Sequence, residues 1–188
     1  IRLAACGVCH SDYSVTTGTI PFPPPVVLGH EGAGIVIEVG EGVTDFSVGD
    51  AVVSSFVSMC GKCRYCQTGR PQLCDQASKA AYTLPDGTVR TKDLQGKPLN
   101  IFSGCGVMAE VATLHTDNVV KIAKDIPLDC AALVSCDFEC LSGPEAAEAL
   151  QLPLNTLYSR LRVARQKFSA TIRRHALLQG RHELRAAA

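Results

Sequence analysis

The stretch Gly29-His30-Glu31-Gly32-Ala33-Gly34 lies between two apolar runs, at residues 25–28 and 35–37. Short apolar runs beside glycines are typical of buried β-strands, and glycine permits a tight turn or a close approach of two backbones. The pattern therefore predicts two strands joined by a glycine-rich turn, with His30 presented at a strand end. An imidazole in that place is either a hydrogen-bonded core histidine or a metal ligand.

Two cysteine segments favour the metal. Cys9 lies upstream, in the stretch Cys6-Gly7-Val8-Cys9-His10-Ser11-Asp12, and Cys136 lies far downstream. Two thiolates and an imidazole, contributed by separate segments, form the ligand set of a catalytic zinc site whose fourth position stays open. The sequence thus predicts a zinc ion on Cys9, His30 and Cys136.

Four further cysteines follow the spacing C-x₂-C-x₂-C-x₇-C, at Cys60, Cys63, Cys66 and Cys74. Four thiolates on one short loop are typical of a closed tetrahedral zinc site; disulfides and an iron–sulfur site are the alternatives. Clustered cysteines of this kind indicate a reducing compartment. The sequence shows no signal peptide and no apolar run near the ~20 residues that span a bilayer, so we expect a cytoplasmic protein outside the membrane.

Charge is distributed unevenly along the 188 residues, a length that accommodates one large domain or two small ones. Residues 1–136 carry 10 Lys or Arg against 13 Asp or Glu, whereas residues 137–188 carry 8 against 5. The net charge therefore changes sign between the two segments, which suggests two parts with different partners. The chain begins at Ile1 rather than at methionine, which predicts a fragment or a processed product.

The first 136 residues resemble the catalytic, GroES-like domain of zinc-dependent alcohol dehydrogenases, in the medium-chain dehydrogenase/reductase family. The resemblance rests on the motifs CGVCHSD, GHEGAGIVIEVGEGVTDFSVGDAVV, CGKCRYCQTGRPQLC and AALVSC. It implies a β-rich distorted barrel, incomplete at its N-terminus, and NAD- or NADP-dependent oxidation of an alcohol to an aldehyde. Within this segment the apolar pattern predicts strands over 26–39, 51–56, 107–114 and 118–122, and three prolines predict a loop from Ser14 to Pro25.

The resemblance also implies roles for single residues. It places the catalytic zinc on Cys9, His30 and Cys136, and a structural zinc on the four clustered cysteines. The other assigned positions are Glu31 beside the metal, Asp12 behind the ligating histidine, Ser11 at the substrate hydroxyl, His10 near the cofactor pyrophosphate and Phe56 on the substrate-pocket wall. Ordinary capping of a turn is the alternative for Ser11 and Asp12. Ser14 stands where some relatives carry a relay histidine, which leaves the last relay step open.

Residues 137–188 contain no G-x-G-x-x-G fingerprint of the Rossmann domain that follows the catalytic domain in these enzymes. Residues 138–178, with LSGPEAAEALQLPLNTLYSRLRVARQKF, instead resemble region 4 of extracytoplasmic-function sigma factors. That resemblance implies a helix-turn-helix, with promoter DNA and RNA polymerase as partners. The residues expected at bases or phosphates are Asn155, Thr156, Tyr158, Arg160, Arg162 and Arg165. A solvated amphipathic hairpin is the alternative.

We therefore interpret the chain as a chimaera with a mixed fold. Its parts are a partial catalytic domain over 1–136, a helix-turn-helix over 137–179 and a frayed tail over 180–188. The first functional hypothesis is the zinc-binding catalytic domain of an alcohol dehydrogenase, inactive alone because it has no nucleotide-binding domain. The second is a sigma-like DNA-binding protein, and the third is a fusion with neither activity.

Overall fold

The computed structural model describes residues 1–77 and 81–136, the last four by backbone alone, and the single residues Pro153, Asn155 and Gln166. Its strands are β1 (Arg2–Cys6), β2 (Val26–Val27), β3 (Gly32–Ile35), β4 (Ala51–Ser54), β5 (Asn100–Ile101) and β6 (Val119–Lys121). Its α-helices are α1 (His10–Thr16), α2 (Arg64–Gln67) and α3 (Leu128–Cys136), and 3₁₀ turns cover Pro71–Leu73, Phe102–Gly104 and Thr116–Asn118. The described part is thus rich in short strands and turns, as the sequence predicts.

Four strands form one antiparallel sheet, in the spatial order β1-β3-β4-β6, and β2 and β5 form a separate parallel pair. Helix α3, for which the sequence predicts no element, packs against β1 and β3. Its Ala131 and Ala132 form an apolar cluster with Ala33 of β3. These three side chains are small, so the helix lies close to the sheet.

Two glycines of the central stretch, Gly32 and Gly34, lie within β3 and not in a turn. A Cβ on Gly34 would lie 3.0 Å from the carbonyl carbon of Arg2, and a Cβ on Gly32 would lie 2.8 Å from the side-chain Cβ of Val107. Glycine is therefore required at both positions by close packing. The change of direction comes earlier, at Gly29, which has a φ of 89° and so adopts a conformation that favours glycine. His30 lies between this bend and the start of β3.

The expected strand over residues 107–114 is wrong, because this segment divides its hydrogen bonds between two partners. The amide groups of Val107 and Met108 donate to the carbonyls of Gly29 and Leu28. Further on, Ala112 donates to the carbonyl of Ile1, and only an isolated bridge forms with β1. A segment that changes partner after two residues cannot form a continuous ladder.

Three other expected boundaries also differ. The expected loop from Ser14 begins later, because α1 continues through Thr16. The two strands expected over 26–39 appear as β2 and β3, but the second ends earlier than expected, at Ile35. The strand expected over 51–56 ends at Ser54; there the serine hydroxyl, not a backbone carbonyl, accepts the amide hydrogen of Gly32 at 2.7 Å.

The predicted helix-turn-helix over 137–179 and the tail lie outside the described residues, apart from the three single positions named above. They therefore stay predictions. In the part of the chain that the structure does describe, no helix is both long enough and apolar enough to cross a membrane.

Candidate metal centres

The first centre begins at the N-terminus of α1. Cys9 is the N-cap residue, and its sulfur accepts the amide hydrogen of Ser11 at 3.3 Å. Asp12 in turn accepts the amide hydrogen of Cys9 through Oδ2 at 3.2 Å. This reciprocal capping box satisfies two amide groups at the helix start and orients the Cys9 sulfur towards the protein interior, where the residue is 1% exposed.

Asp12 connects this helix to the histidine segment. Its Oδ1 accepts the amide hydrogen of Gly29 at 2.8 Å and lies 3.6 Å from Nδ1 of His30. On the opposite side of the imidazole ring, Nε2 lies 3.1 Å from the sulfur of Cys9 and 3.8 Å from Oε1 of Glu31. The ring therefore turns one nitrogen towards the thiol and the other towards a carboxylate, as metal-ligating histidines do.

Two further observations support His30 as a metal ligand. The candidate ligand atoms of Cys9, Asp12 and His30 lie within 4.8 Å of one another, and all three residues are buried. Among the described residues, Nδ1 of His30 is buried without a hydrogen-bond partner, since 3.6 Å to Asp12 is too long for one. Both Asp12 oxygens already accept amide hydrogens, so the carboxylate is better placed to orient the ring than to bind a metal.

The electrostatic setting of His30 is strongly negative. Burial alone would lower the pKa of His30, but Asp12 and Cys9 outweigh burial and raise that pKa to about 10. A metal ion at this imidazole must compete with a proton, because only the neutral ring binds a metal. A cationic group is therefore favoured beside Cys9 and Asp12.

Aromatic rings surround the imidazole. Phe56 packs against the His30 ring with centroids 4.8 Å apart, and Phe102 meets it edge-to-face at 5.1 Å. Phe56 is 40% exposed, whereas Phe102 is buried. Phe56 thus lies where a molecule approaching His30 from solvent would touch it, and Phe102 closes the inner side.

Sequence reasoning did not identify Phe102 or Ser54. The Ser54 hydroxyl donates to the carbonyl of His30 at 2.6 Å and accepts the amide hydrogen of Gly32, so it holds the histidine segment against β4. Ser54 and Phe102 lie 24 and 72 residues from His30, beyond the reach of any local pattern. The one local signal that could have indicated Ser54 is its place as a polar residue directly after the apolar run 51–53.

The second centre is the loop of clustered cysteines. The candidate ligand atoms of Cys60, Cys63, Cys66 and Cys74 lie within 4.8 Å of one another. Cys63 is the N-cap residue of α2, Cys66 lies within that helix, and Cys74 ends the following 3₁₀ turn. Their sulfurs are free thiols, with Cys63 and Cys74 3.9 Å apart, nearly twice the length of a disulfide bond. The arrangement fits four-thiolate coordination of a metal ion.

Backbone amide groups favour thiolates in this loop. Hydrogen bonds from the backbone of Cys66 and Asp75 lower the pKa of Cys63 to about 6, whereas burial raises the pKa of Cys66 to about 12. Amide groups of Cys60 and Gln76 also point at the sulfur of Cys74, at 3.5 and 3.4 Å. A metal ion would supply the positive charge that four adjacent thiolates need.

The other sequence-predicted residues lie around the first centre. Ser11 and His10 occupy the first turn of α1, and the exposed His10 accepts or donates a hydrogen bond with the hydroxyl of Ser14 at 2.9 Å. Cys136 is the last residue of α3, and its side chain lies outside the described part. Asn155 is a single described residue, and the other expected DNA contacts lie outside the described residues.

The cysteines without an expected role are mostly inside the protein. Cys105 and Cys130 are buried, and burial raises the pKa of Cys105 to about 12. Cys6 is half-buried, and burial is the main reason that its pKa rises to about 12. Thiols with such pKa values are weak nucleophiles, so these cysteines act as small packed side chains. Cys140 lies outside the described residues.

Residues 1–124 match the family model of the alcohol dehydrogenase GroES-like domain. The chain belongs to this family. Alcohol dehydrogenase B of Mycobacterium tuberculosis is 42% identical over 141 residues, which are 72% of this chain and 37% of that protein. S-(hydroxymethyl)glutathione dehydrogenase of Aspergillus oryzae is 40% identical over 139 residues, 72% of this chain and 36% of that protein. The GroES-like chain thus spans little more than a third of the length of these relatives.

Solved structures of the family share this fold. An alcohol dehydrogenase zinc-binding domain protein from Burkholderia ambifaria is 35% identical with a TM-score of 0.66, covering 72% of this chain and 37% of that one. A cobalt- and zinc-bound thermostable alcohol dehydrogenase from Pyrobaculum aerophilum is 33% identical with a TM-score of 0.51, covering 72% and 35%. The GroES-like part of the prediction is therefore confirmed.

Proposed function

We propose that residues 1–136 form the zinc-binding catalytic domain of an NAD- or NADP-dependent alcohol dehydrogenase. The observation that carries the proposal is the buried pair of Cys9 and His30, with sulfur and Nε2 3.1 Å apart and a carboxylate behind the ring. An isolated core histidine needs no thiol at its other nitrogen. The family membership of the chain supports the same interpretation.

Both centres offer ligands that zinc prefers: thiolate sulfur and imidazole nitrogen at the first, and four thiolate sulfurs at the second. Cys9, His30 and Cys136 would hold the catalytic ion, and the four clustered cysteines would hold the structural one. The catalytic ion supplies a Lewis acid that lowers the pKa of a bound alcohol. The Asp12 carboxylate, 3.6 Å from Nδ1, would favour a proton on Nδ1 and leave Nε2 for the metal, and Glu31 would add a second negative charge beside Nε2.

The residues of α1 would handle the substrate proton. Ser11 lies in the first turn of α1, two residues after Cys9. Its hydroxyl would accept a hydrogen bond from the alcohol and pass the proton outwards. The Ser14 hydroxyl and the exposed His10 imidazole, 2.9 Å apart, would provide the outer end of this path in place of a relay histidine. Phe56 would contact the carbon chain of the substrate, because it is half-exposed beside His30.

The nicotinamide cofactor is the electron acceptor in this proposal, and His10 would contact its pyrophosphate. Hydride transfer requires the nicotinamide to be held about 3–3.5 Å from the reacting carbon. In the family that positioning comes from a Rossmann domain, whose glycine fingerprint does not occur in residues 137–188. The 188 residues by themselves are therefore expected to bind zinc but not to oxidise alcohols.

Native mass spectrometry of the zinc-loaded chain tests the proposal. We expect two zinc ions in the wild type, with one lost from His30→Gln and both kept by the matched control Ser11→Ala, which changes no ligand. The ion at Cys9 and His30 should bind more weakly than the one at the clustered cysteines, because Cys136 lies where the family-like sequence ends. A wild type with a single zinc, or a His30→Gln variant with two, would contradict the proposal.

Promoter binding through residues 137–179 is the second candidate function. It is supported by the sigma-like sequence pattern and by the surplus of 8 Lys or Arg over 5 Asp or Glu after residue 136. Electrophoretic mobility shifts with promoter DNA at several salt concentrations test it, since phosphate contacts weaken steeply as salt rises. Arg160→Ala should then reduce the affinity for DNA. Equal affinities of the wild type and Arg160→Ala would exclude a role of the recognition helix in DNA binding.

A further inference from the structure

A buried asparagine, Asn118, contacts the backbone beside each of the two phenylalanine rings that surround His30. Asn118 is 0% exposed and ends the 3₁₀ turn before β6. Its side-chain Nδ2 donates to the carbonyl of Ser55 at 3.0 Å and reaches the carbonyl of Ser103 at 3.5 Å. Ser55 directly precedes Phe56, and Ser103 directly follows Phe102. One amide group therefore contacts the backbone next to both rings.

The turn that carries Phe102 needs such support. Ser103 has a φ of 53° and a ψ of 34°, a left-handed conformation that costs a residue other than glycine of the order of 1 kcal/mol or more. Such conformations persist only where the surrounding structure holds them. The Ser103 amide donates to the carbonyl of Ala81 at 2.9 Å, and the Asn118 amide reaches the Ser103 carbonyl at 3.5 Å, so Asn118 is the buried side chain that supports this turn. The backbone of Asn118 also accepts the amide hydrogen of Ser55 at 2.8 Å, which holds the Phe56 segment in the same place.

We propose that Asn118 is a positioning residue of the metal centre, which holds Phe56 and Phe102 against the His30 imidazole and so fixes the direction of Nε2. The proposal deepens the function proposed above and rests on it for the role of the metal. A ring packed at 4.8 Å by one phenylalanine and at 5.1 Å by another cannot rotate unless one of them moves. Among the described residues, Asn118 makes no hydrogen bond to Cys9 or His30, so it acts through these two rings.

The chain offers a matched control at the same side chain. Oδ1 of Asn118 accepts a hydrogen bond from the hydroxyl of the buried Ser58 at 3.1 Å. Ser58→Ala removes this buried hydrogen bond but leaves the contacts of Nδ2 with the two carbonyls and with the Cys105 sulfur. Asn118→Ala removes all of them. A purely structural role would make the two variants alike, whereas a positioning role makes only Asn118→Ala disturb the His30 environment.

The experiment measures nuclear Overhauser effects between the His30 and phenylalanine ring protons in the full, metal-free chain, and the Zn²⁺ affinity by chelator competition. In Asn118→Ala we expect the His30–Phe102 effect to weaken and the weaker zinc site to lose about 10–100-fold in affinity. Ser58→Ala should keep both values. Adding Ser103→Gly to Asn118→Ala should restore the Phe102 contact, because glycine adopts the left-handed conformation without support.

Three outcomes would overturn the proposal: unchanged ring contacts in Asn118→Ala, equal losses in Ser58→Ala, or no recovery with Ser103→Gly. Asn118→Ser, which is too short to reach both carbonyls, replaces Asn118→Ala if that chain does not fold. The ring contacts are measured without metal, so they test Asn118 even if the wild type binds a single zinc. A wild type with a single zinc would contradict the proposed function, and the ring contacts alone would then decide the inference about Asn118.

Discussion

Replacing Gly34 by alanine tests whether the close approach of β1 and β3 requires glycine. The new Cβ would lie 3.0 Å from the carbonyl carbon of Arg2, 3.1 Å from Cα of Leu3, and closer still to the Arg2 carbonyl oxygen. These are backbone atoms, so no change of rotamer relieves the overlap, and β1 must move away from β3. Overpacking of this kind costs about 1–3 kcal/mol, and each hydrogen bond lost between the strands adds about 1 kcal/mol. We therefore expect the free energy of unfolding to fall by about 3 kcal/mol.

Urea denaturation of the zinc-loaded chain, followed by far-ultraviolet circular dichroism, measures this loss as a lower transition midpoint at an unchanged slope. Gly40→Ala is the matched control, because a Cβ there meets only Cγ2 of Val43 at 4.0 Å, and we expect a change within about 0.5 kcal/mol. A loss of less than about 1 kcal/mol in Gly34→Ala would refute the reasoning, since the strands would then tolerate a side chain.

Three further predictions concern the metal centres, an ion pair and activity. Cys63→Ser should lose one zinc in native mass spectrometry, whereas Cys105→Ser, which lies outside the cluster, should keep both; equal zinc contents would exclude the four-cysteine site. The Lys121 ammonium lies 2.7 Å from Oδ2 of Asp50 and lowers the pKa of that carboxyl. This pair therefore stabilises the fold above the unfolded-state pKa of the carboxyl, and the contribution is lost as the pH falls through the lower folded-state pKa. With zinc removed by a chelator, Lys121→Met should unfold more easily than the wild type at neutral pH, and the difference should shrink as the pH falls below the ordinary pKa of an aspartate, about 3.9; a difference that does not shrink would contradict this. Finally, absorbance assays for NADH with several alcohols should show no turnover above a Cys9→Ser control, and turnover would mean that these 188 residues position the cofactor after all.

Several features of the fold follow from local sequence patterns. The stretch around Val52 and the run before Lys121 predict strands, and the structure contains β4 and β6 there. Their ends are less predictable, because strand ends depend on partners. Residues 107–114 have the composition of a strand, yet their hydrogen bonds go to two different segments, so no ladder forms.

The candidate site divides in the same way. The candidate ligands were recognisable from residue type and spacing, and the structure brings Cys9 together with His30 and the four clustered cysteines together with one another. Their orientation was not readable. In the structure Nε2 of His30 faces the Cys9 sulfur and Nδ1 faces Asp12, and the carbonyl of His30 accepts a hydrogen bond from a serine 24 residues away.

The sequence by itself determined the family, the segments that carry candidate metal ligands and the glycines needed at bends and close approaches, because each of these signals comes from residue types at short, regular spacing. Only the tertiary structure decided that β3 contains the glycines, that Phe102 closes the inner side of His30 and that Asn118 lies beside both aromatic segments. These contacts join residues 15 to 72 positions apart. They arise when strands and turns pack into one interior, where burial selects partners that no local pattern specifies.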